Sequence, residues 1–321
     1  MKRILITGAT GFIGRQCLDE LLRRGYEVHA VGRQPIVAAG EVLWHRMNLL
    51  KPGCADRLVR QVRPSHLLHL AWVTTPGEYW STSENLNWIQ ASIELVHTFA
   101  ETGGRRAVCA GTCAEYDWRF GYCTEDLTPL RPATLYGASK AGLRQIVESF
   151  ALARGFSLAW ARIFFPYGPH EAVERLLPSV INRLLRREQV PCTTGDQIRD
   201  FMYVRDVANA LVALLDSDVA GAINIASGEP VALRKIVTLA AEACDGLELV
   251  RFGALPVRDN DPPLLVADVQ RLANDVGWRP KHDVRGGLLQ TIQWWRENPA
   301  SESYGNAISR KSWRCGDASS K

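Results

Sequence analysis

The apolar run Ile4-Leu5-Ile6 passes directly into Gly8-Ala9-Thr10-Gly11-Phe12-Ile13-Gly14, and an amphipathic pattern follows. Three glycines spaced three apart between a strand and a helix let the turn close tightly. They also let the backbone approach a pyrophosphate at the helix N-terminus. Glycine occurs in many turns, so its placement after the first strand gives the pattern its weight. It commits the chain to begin as a strand–turn–helix unit that cradles a dinucleotide.

The rest of the first half repeats that unit. Strands are expected at 3–7, 27–31, 42–46, 66–71, 106–111 and 157–164, with helices at 11–24, 52–62, 83–102 and 132–154. Several strands are almost continuously apolar, as a parallel sheet covered on both faces requires. Three of the helices stop at a glycine (Gly25, Gly103, Gly155). Alternating elements with short connections imply right-handed crossovers and an α/β fold with a doubly wound parallel sheet, the Rossmann architecture. Beyond 165 the pattern becomes mixed, with helices at 171–187, 204–216, 233–244 and 285–297 and strands at 222–225 and 247–252. We read a Rossmann domain over 1–165, to which 203–229 returns. A smaller C-terminal α/β substrate lobe takes 166–202 and 230–298, and 299–321 forms a flexible tail containing Trp313.

Composition removes several functional classes. A net charge of +4 suits phosphate-bearing ligands without pointing to nucleic acid, and the basic stretch Arg183 to Arg187 reads as a solvated helix face. The eight cysteines show no C-x-x-C pair, and the odd spacing of His66 and His69 puts them on opposite strand faces. A reduced, metal-free protein is expected. The first apolar run ends after three residues, too short for a signal peptide, and no stretch reaches the ~18 apolar residues of a membrane span. The expectation is a cytoplasmic protein with no membrane or nucleic-acid partner.

Two features speak to cofactor and chemistry. The second strand ends in Gly32-Arg33 with no carboxylate. An acidic residue there would repel a 2′-phosphate, whereas Arg33 can pair with one; NADP is preferred and NAD is the alternative. Tyr136-Gly137-Ala138-Ser139-Lys140 places a phenol and an ammonium four apart on one helix face. A nearby cation lowers a phenol pKa from its usual ~10, which equips it for proton exchange.

Gly8-Ala9-Thr10-Gly11-Phe12-Ile13-Gly14, Ala110-Gly111-Thr112-Cys113-Ala114-Glu115-Tyr116 and Tyr136-Gly137-Ala138-Ser139-Lys140, in that order, resemble the extended short-chain dehydrogenase/reductase family over roughly residues 3–297. The resemblance implies that Thr112 hydrogen-bonds the reacting oxygen, Tyr136 is the acid/base, and Lys140 binds the nicotinamide ribose. It implies further cofactor contacts at Asn48 and Leu49, at Leu70, Ala71 and Trp72, and at Phe164 and Pro166. Trp72 departs from the small residue usual there, and Phe165 from the usual Asn. Arg199 matches the arginine that meets a nucleotide-sugar pyrophosphate, and Arg258 would be a second phosphate clamp. Cys113 adjoins Thr112 at the substrate, with its thiol assigned to packing.

The family's dehydratase branch carries Asp-Glu after the catalytic Thr; Cys113-Ala114 stands there instead. The expected function is therefore NADPH-dependent reduction of a nucleotide-linked 4-keto-6-deoxyhexose. Alternatives are a nucleotide-sugar 4-epimerase, a sterol or flavonoid reductase, and a non-catalytic NADP-binding sensor. By analogy with the family, a homodimer is expected through helices 83–102 and 132–154.

Overall fold

The computed structural model describes residues 2–299 except 33, 37, 39, 258 and 260. Arg33, Arg258 and the tail 300–321 with Trp313 thus lie outside the described residues.

Strands β1 (Lys2–Thr7), β2 (Tyr26–Gly32), β3 (Leu43–Arg46), β4 (His66–His69) and β5 (Arg106–Thr112) come first. After them come β6 (Tyr122–Cys123), β7 (Ser157–Ile163), β8 (Phe165–Tyr167), β9 (Val190–Pro191) and β10 (Ile198–Tyr203). The last are β11 (Gly221–Ile225), β12 (Pro230–Ala232), β13 (Val250–Arg251) and β14 (Leu264–Ala267). The main sheet runs β11-β7-β5-β4-β1-β2-β3, and every neighbouring pair is parallel.

Period-two alternation along β1 divides the core. Ile4 and Ile6 join one apolar cluster with α1 (Gly14–Arg23) and the helix over 204–216. Leu5, pointing the other way, joins a cluster with α2 (Cys54–Val62), α3 (Glu84–Glu101) and α4 (Leu135–Arg154). Helices therefore cover both faces, and strand order reverses between β1 and β4. In such sheets the crevice at the strand C-termini beside the reversal receives the ligand. His66 and His69 do face opposite sides: His66 packs edge-on to Tyr26, while His69 reaches Ser92 of α3.

The second lobe surrounds β10, which pairs antiparallel with β12 and parallel with β14 and β8. Its core gathers Tyr167, Phe201 and Tyr203 against α5 (Leu176–Leu185), α7 (Leu233–Ala243) and α9 (Val284–Glu297). Between them in the chain lie α6 (Val204–Asp216) and α8 (Gln270–Asn274).

Several boundaries differ from the sequence expectation, three of them at the following places. Helix α1 begins at Gly14 rather than 11, because the Gly11 amide closes a turn on Gly8 O at 2.9 Å. Helix α5 begins at Leu176 rather than 171, because His170 sits in the left-handed region at φ 70° and Arg175 is extended. The strand expected over 247–252 contracts to β13, preceded by a single 3-10 turn.

Candidate functional site

Steric crowding explains the glycine spacing. Gly8 has φ +70°, and a Cβ there would lie 2.8 Å from Ala71 N. A Cβ on Gly14 would lie 2.1 Å from Gly8 O, and one on Gly11 3.1 Å from the same oxygen. The turn can close only without side chains at these positions. Helix α1 then opens with no side-chain cap, which leaves its N-terminus for an anionic ligand. Ile13 anchors the turn in the core, and Phe12 is half-buried. Thr10 packs on the end of β2: a Cβ on Gly32 would meet Thr10 Cγ2 at 2.9 Å. A side chain at 32 would thus require the Thr10 side chain to shift.

Facing this turn is the segment after β4. Thr7 Oγ1 accepts from the amides of Leu70 and Ala71, both at 3.1 Å. Its own proton therefore goes to His69 Nδ1 at 2.7 Å. That fixes the tautomer: His69 Nε2 donates to Ser92 Oγ at 2.8 Å, and Ser92 donates in turn to Trp88 O. Burial of the ring, with Lys140 nearby, pushes the His69 pKa down to about 3. This chain of bonds braces Leu70, Ala71 and Trp72 against the turn. Trp72 is held by its Nε1 on Asn85 Oδ1 at 2.8 Å. Asn48 and Leu49 follow the end of β3, where the Met47 amide reaches Gly32 O. Asn48 Oδ1 is engaged by the Leu50 amide, and Leu49 is buried in the core.

At the end of β5, Thr112 and Tyr136 come close enough for the Thr112 hydroxyl to act on the phenol. Gly137 allows the approach, since a Cβ there would lie 2.3 Å from Ala114 O; helix α4 rests directly on the turn after Thr112. Thr134 caps the helix by accepting from the Gly137 amide at 3.1 Å. One turn further on, Lys140 Nζ donates to Ala110 O at 2.7 Å and stands 3.8 Å from the Trp72 ring centroid. Burial lowers the Lys140 pKa to about 7, against the pull of Glu115 and Cys109. The Tyr–Lys spacing leads one to expect a lowered Tyr136 pKa. In the structure burial and then Tyr79 push it up, and Thr112 opposes them. The phenol holds its proton, as a proton donor must.

The turn carrying Thr112 is pinned by a buried ion pair that motif reading passed over. Glu115 Oε2 meets Arg162 Nε at 2.9 Å, with both side chains fully buried. Glu115 Oε1 accepts from the Thr112 amide and from Trp160 Nε1, each at 2.8 Å. Gly111 leaves the room, since a Cβ on it would lie 2.1 Å from that indole nitrogen. The sequence signal was present as Gly111 and Glu115 around Thr112, the spacing of a capping box.

Aromatic residues unclaimed by any motif wall this centre. The Tyr79 and Trp80 rings stand edge-on to Tyr136 at 5.0 and 5.8 Å. Trp118 stands edge-on to Trp80 and donates Nε1 to Cys113 O at 2.9 Å. Cys113 is buried with Tyr116, Cys123 and Phe164, and burial raises its thiol pKa above the usual range. Its surroundings are those of a packing residue. Phe164 is buried, and Phe165 and Pro166 lead into the second lobe on β8. Arg199 is buried on β10, where Asp261 holds its guanidinium at 2.5 Å; its Cζ lies 5.7 Å from the Phe165 ring centroid.

The glycine cradle, the uncapped helix and the inward-turned Lys140 fit a nicotinamide dinucleotide at the carboxyl ends of β1, β4 and β5. The comparisons with known proteins agree. A UDP-glucose 4-epimerase of Neisseria meningitidis serogroup B is 25% identical, over 93% of this chain and 98% of its own. A dTDP-6-deoxy-L-talose 4-dehydrogenase (NAD(+)) of Aggregatibacter actinomycetemcomitans is 29% identical, over 73% of this chain and 87% of its own. Among solved structures, a Thermus thermophilus UDP-glucose 4-epimerase in complex with NAD superposes with a TM-score of 0.79 at 26% identity. That superposition covers 92% of this chain and 99% of the other. The profile of the NAD dependent epimerase/dehydratase family matches residues 4–226. Since that match takes in the turn, the Thr–Tyr–Lys centre and more than half of the sequence, the chain is an enzyme of the NAD-dependent epimerase/dehydratase family, in the nucleotide-sugar branch of the extended short-chain dehydrogenase/reductases.

Proposed function

We propose that this enzyme is an NADPH-dependent reductase of a nucleotide-linked 4-keto-6-deoxyhexose. The observation that carries the reading is Cys113-Ala114 beside Thr112. Ala114 has no proton to exchange, and the Cys113 thiol is buried with its pKa raised. Dehydration needs an added acid and base at this place; carbonyl reduction needs only one proton donor. The Aggregatibacter relative supports the choice of sugar, because oxidation at C4 of a 6-deoxyhexose is 4-keto reduction run backwards. NADPH rather than NADH is supported by Gly32, which leaves no carboxylate at the end of β2, and by Arg33 after it.

In this reading Thr112 and Tyr136 would hold the C4 carbonyl oxygen and Tyr136 would give it a proton; a bound nicotinamide would supply the hydride. Lys140 holds the nicotinamide ribose, and its charge stabilises the phenolate left behind. Gly8 through Gly14, Asn48, Leu49, Leu70, Ala71, Trp72, Phe164 and Pro166 line the cofactor. Arg199, aimed by Asp261, takes the substrate diphosphate with Arg258. The Rossmann part thus handles the dinucleotide and the smaller lobe the nucleotide sugar. Exposed Leu86 and Ile93 on α3 and Leu135 and Ile146 on α4 support a homodimer across these helices. A cytoplasmic location fits the seven described cysteines, all free and buried. Among the described residues no helix is long and apolar enough to cross a membrane.

A second reading, 4-epimerisation of a nucleotide hexose, is favoured by the Neisseria relative and uses the same three residues. Isotope transfer separates them. With 4-deuterated NADPH, the reductase leaves deuterium at C4 of the product sugar. An epimerase interconverts unlabelled nucleotide hexoses with no net uptake, and that result would refute the reductase.

A further inference from the structure

A strap over residues 168–175 spans the cleft just described, and its charged residues belong to no motif. At one end His170, held at φ 70°, accepts a hydrogen bond from Arg15 in the first turn of α1. Arg15 also donates to Thr10 O of the glycine-rich turn at 3.1 Å. The His170 ring lies 4.5 Å from that of Trp294 on α9, so the strap ties the cofactor turn to the second lobe. At the other end Arg175 donates to the Tyr79 hydroxyl at 3.3 Å, and Tyr79 stands against Tyr136. The strap therefore touches both the pyrophosphate end of the cleft and the catalytic end. A non-glycine residue at positive φ is strained and persists where the surroundings demand it.

Glu171 lies between these two anchors. Its backbone amide donates to Gly168 O at 3.3 Å, while Oε2 of its carboxyl group is buried with no hydrogen-bond partner among the described residues. A buried carboxyl oxygen with no partner is costly. On α1, Arg15 Nε is likewise buried without a partner among the described residues. These two unsatisfied polar atoms, one on the strap and one on the helix that Arg15 ties to it through His170, mark places where a polar ligand completes the bonding.

We propose that Glu171 is a further cofactor-binding residue, its carboxyl group hydrogen-bonding an oxygen of the dinucleotide from the strap side of the cleft. Burial pushes the Glu171 pKa up to about 8, with Arg175 opposing. At neutral pH the group thus carries a proton and can donate it to a ribose or phosphate oxygen. The charged group that acts on it is Arg175 on the strap; Arg15 and His170 face each other at the strap's other anchor. Above its pKa the carboxylate repels the pyrophosphate, and affinity falls. The inference rests on reading the cleft as a dinucleotide site, whichever reaction follows.

The test is NADPH binding by fluorescence titration from pH 6.5 to 9.5 in wild type, Glu171→Gln and Glu171→Asp, with circular dichroism confirming the folds. Wild-type Kd is expected to weaken about tenfold between pH 7 and 9. Glu171→Gln, which keeps a donor and cannot ionise, is expected to match wild type at pH 7 and to lack that added weakening. Glu171→Asp, too short to reach, is expected to bind several-fold more weakly at pH 7. The titration of Lys140 is common to all three and cancels in the comparison. Superimposable pH profiles for wild type and Glu171→Gln would overturn the proposal. Absence of binding of both NADPH and NADH by wild type at pH 7 would overturn the reading of the cleft as well.

Discussion

Lys140 stands 3.8 Å from the Trp72 ring centroid and donates a hydrogen bond to Ala110 O, with no salt bridge to a carboxylate among the described residues. A cation so placed costs stability in exchange for function. Its pKa is about 7 in the fold against 10.5 for the free side chain. The unfolded chain therefore binds the proton more tightly, and stability rises with pH between those values.

Lys140→Met is accordingly expected to abolish turnover while raising the stability of the cofactor-free protein by about 1–3 kcal/mol near neutrality. The gain should be largest below pH 7 and fade towards pH 10. Urea unfolding at pH 6.5 and 9.5 checks this; a variant less stable than wild type at pH 6.5 would contradict it.

Glu115 and Arg162 make the opposite case. Removing the carboxylate strands a guanidinium that is fully buried. Glu115→Ala should cost about 3–5 kcal/mol and also release the Thr112 amide. Chemical denaturation measures the first effect and kcat the second. A loss under about 1 kcal/mol would show that water or another partner takes over the guanidinium.

His69 supplies an acid limit. Its folded pKa of about 3 lies below the free value of 6.5, so its contribution is present above 6.5 and lost as pH falls towards 3. His66, lowered to about 4 by burial and neighbouring cations, acts in the same direction. His69→Gln keeps a donor and an acceptor but no titration. Its unfolding free energy should fall less steeply than wild type between pH 6.5 and 4.5, and parallel curves would contradict the buried-neutral assignment.

What the sequence made legible was contiguous. Gly8, Gly11 and Gly14 occur within one turn, Tyr136 and Lys140 within one helical turn, and Thr112 at the end of an apolar run. Each motif needs only its own neighbours to be recognised. Tyr79 and Arg175 meet across 96 positions, and neither residue type announces a partner so far away. Glu171 looked like the start of an amphipathic helix, because periodicity does not register the left-handed backbone at His170. The lowered pKa expected for Tyr136 weighed charge without burial, and burial is set by Tyr79 and by packing from outside the motif. Strands β6, β8, β9, β12 and β13 have two or three residues each, too few for an alternation to be read.

The most direct test of the proposed reaction is absorbance at 340 nm of purified enzyme with NADPH and a panel of nucleotide-linked 4-keto-6-deoxyhexoses, with Tyr136→Phe alongside. A reductase predicts loss of absorbance with at least one sugar and none with the variant. Steady absorbance with every keto-sugar, while unmodified nucleotide hexoses interconvert, would contradict it and identify the enzyme as an epimerase.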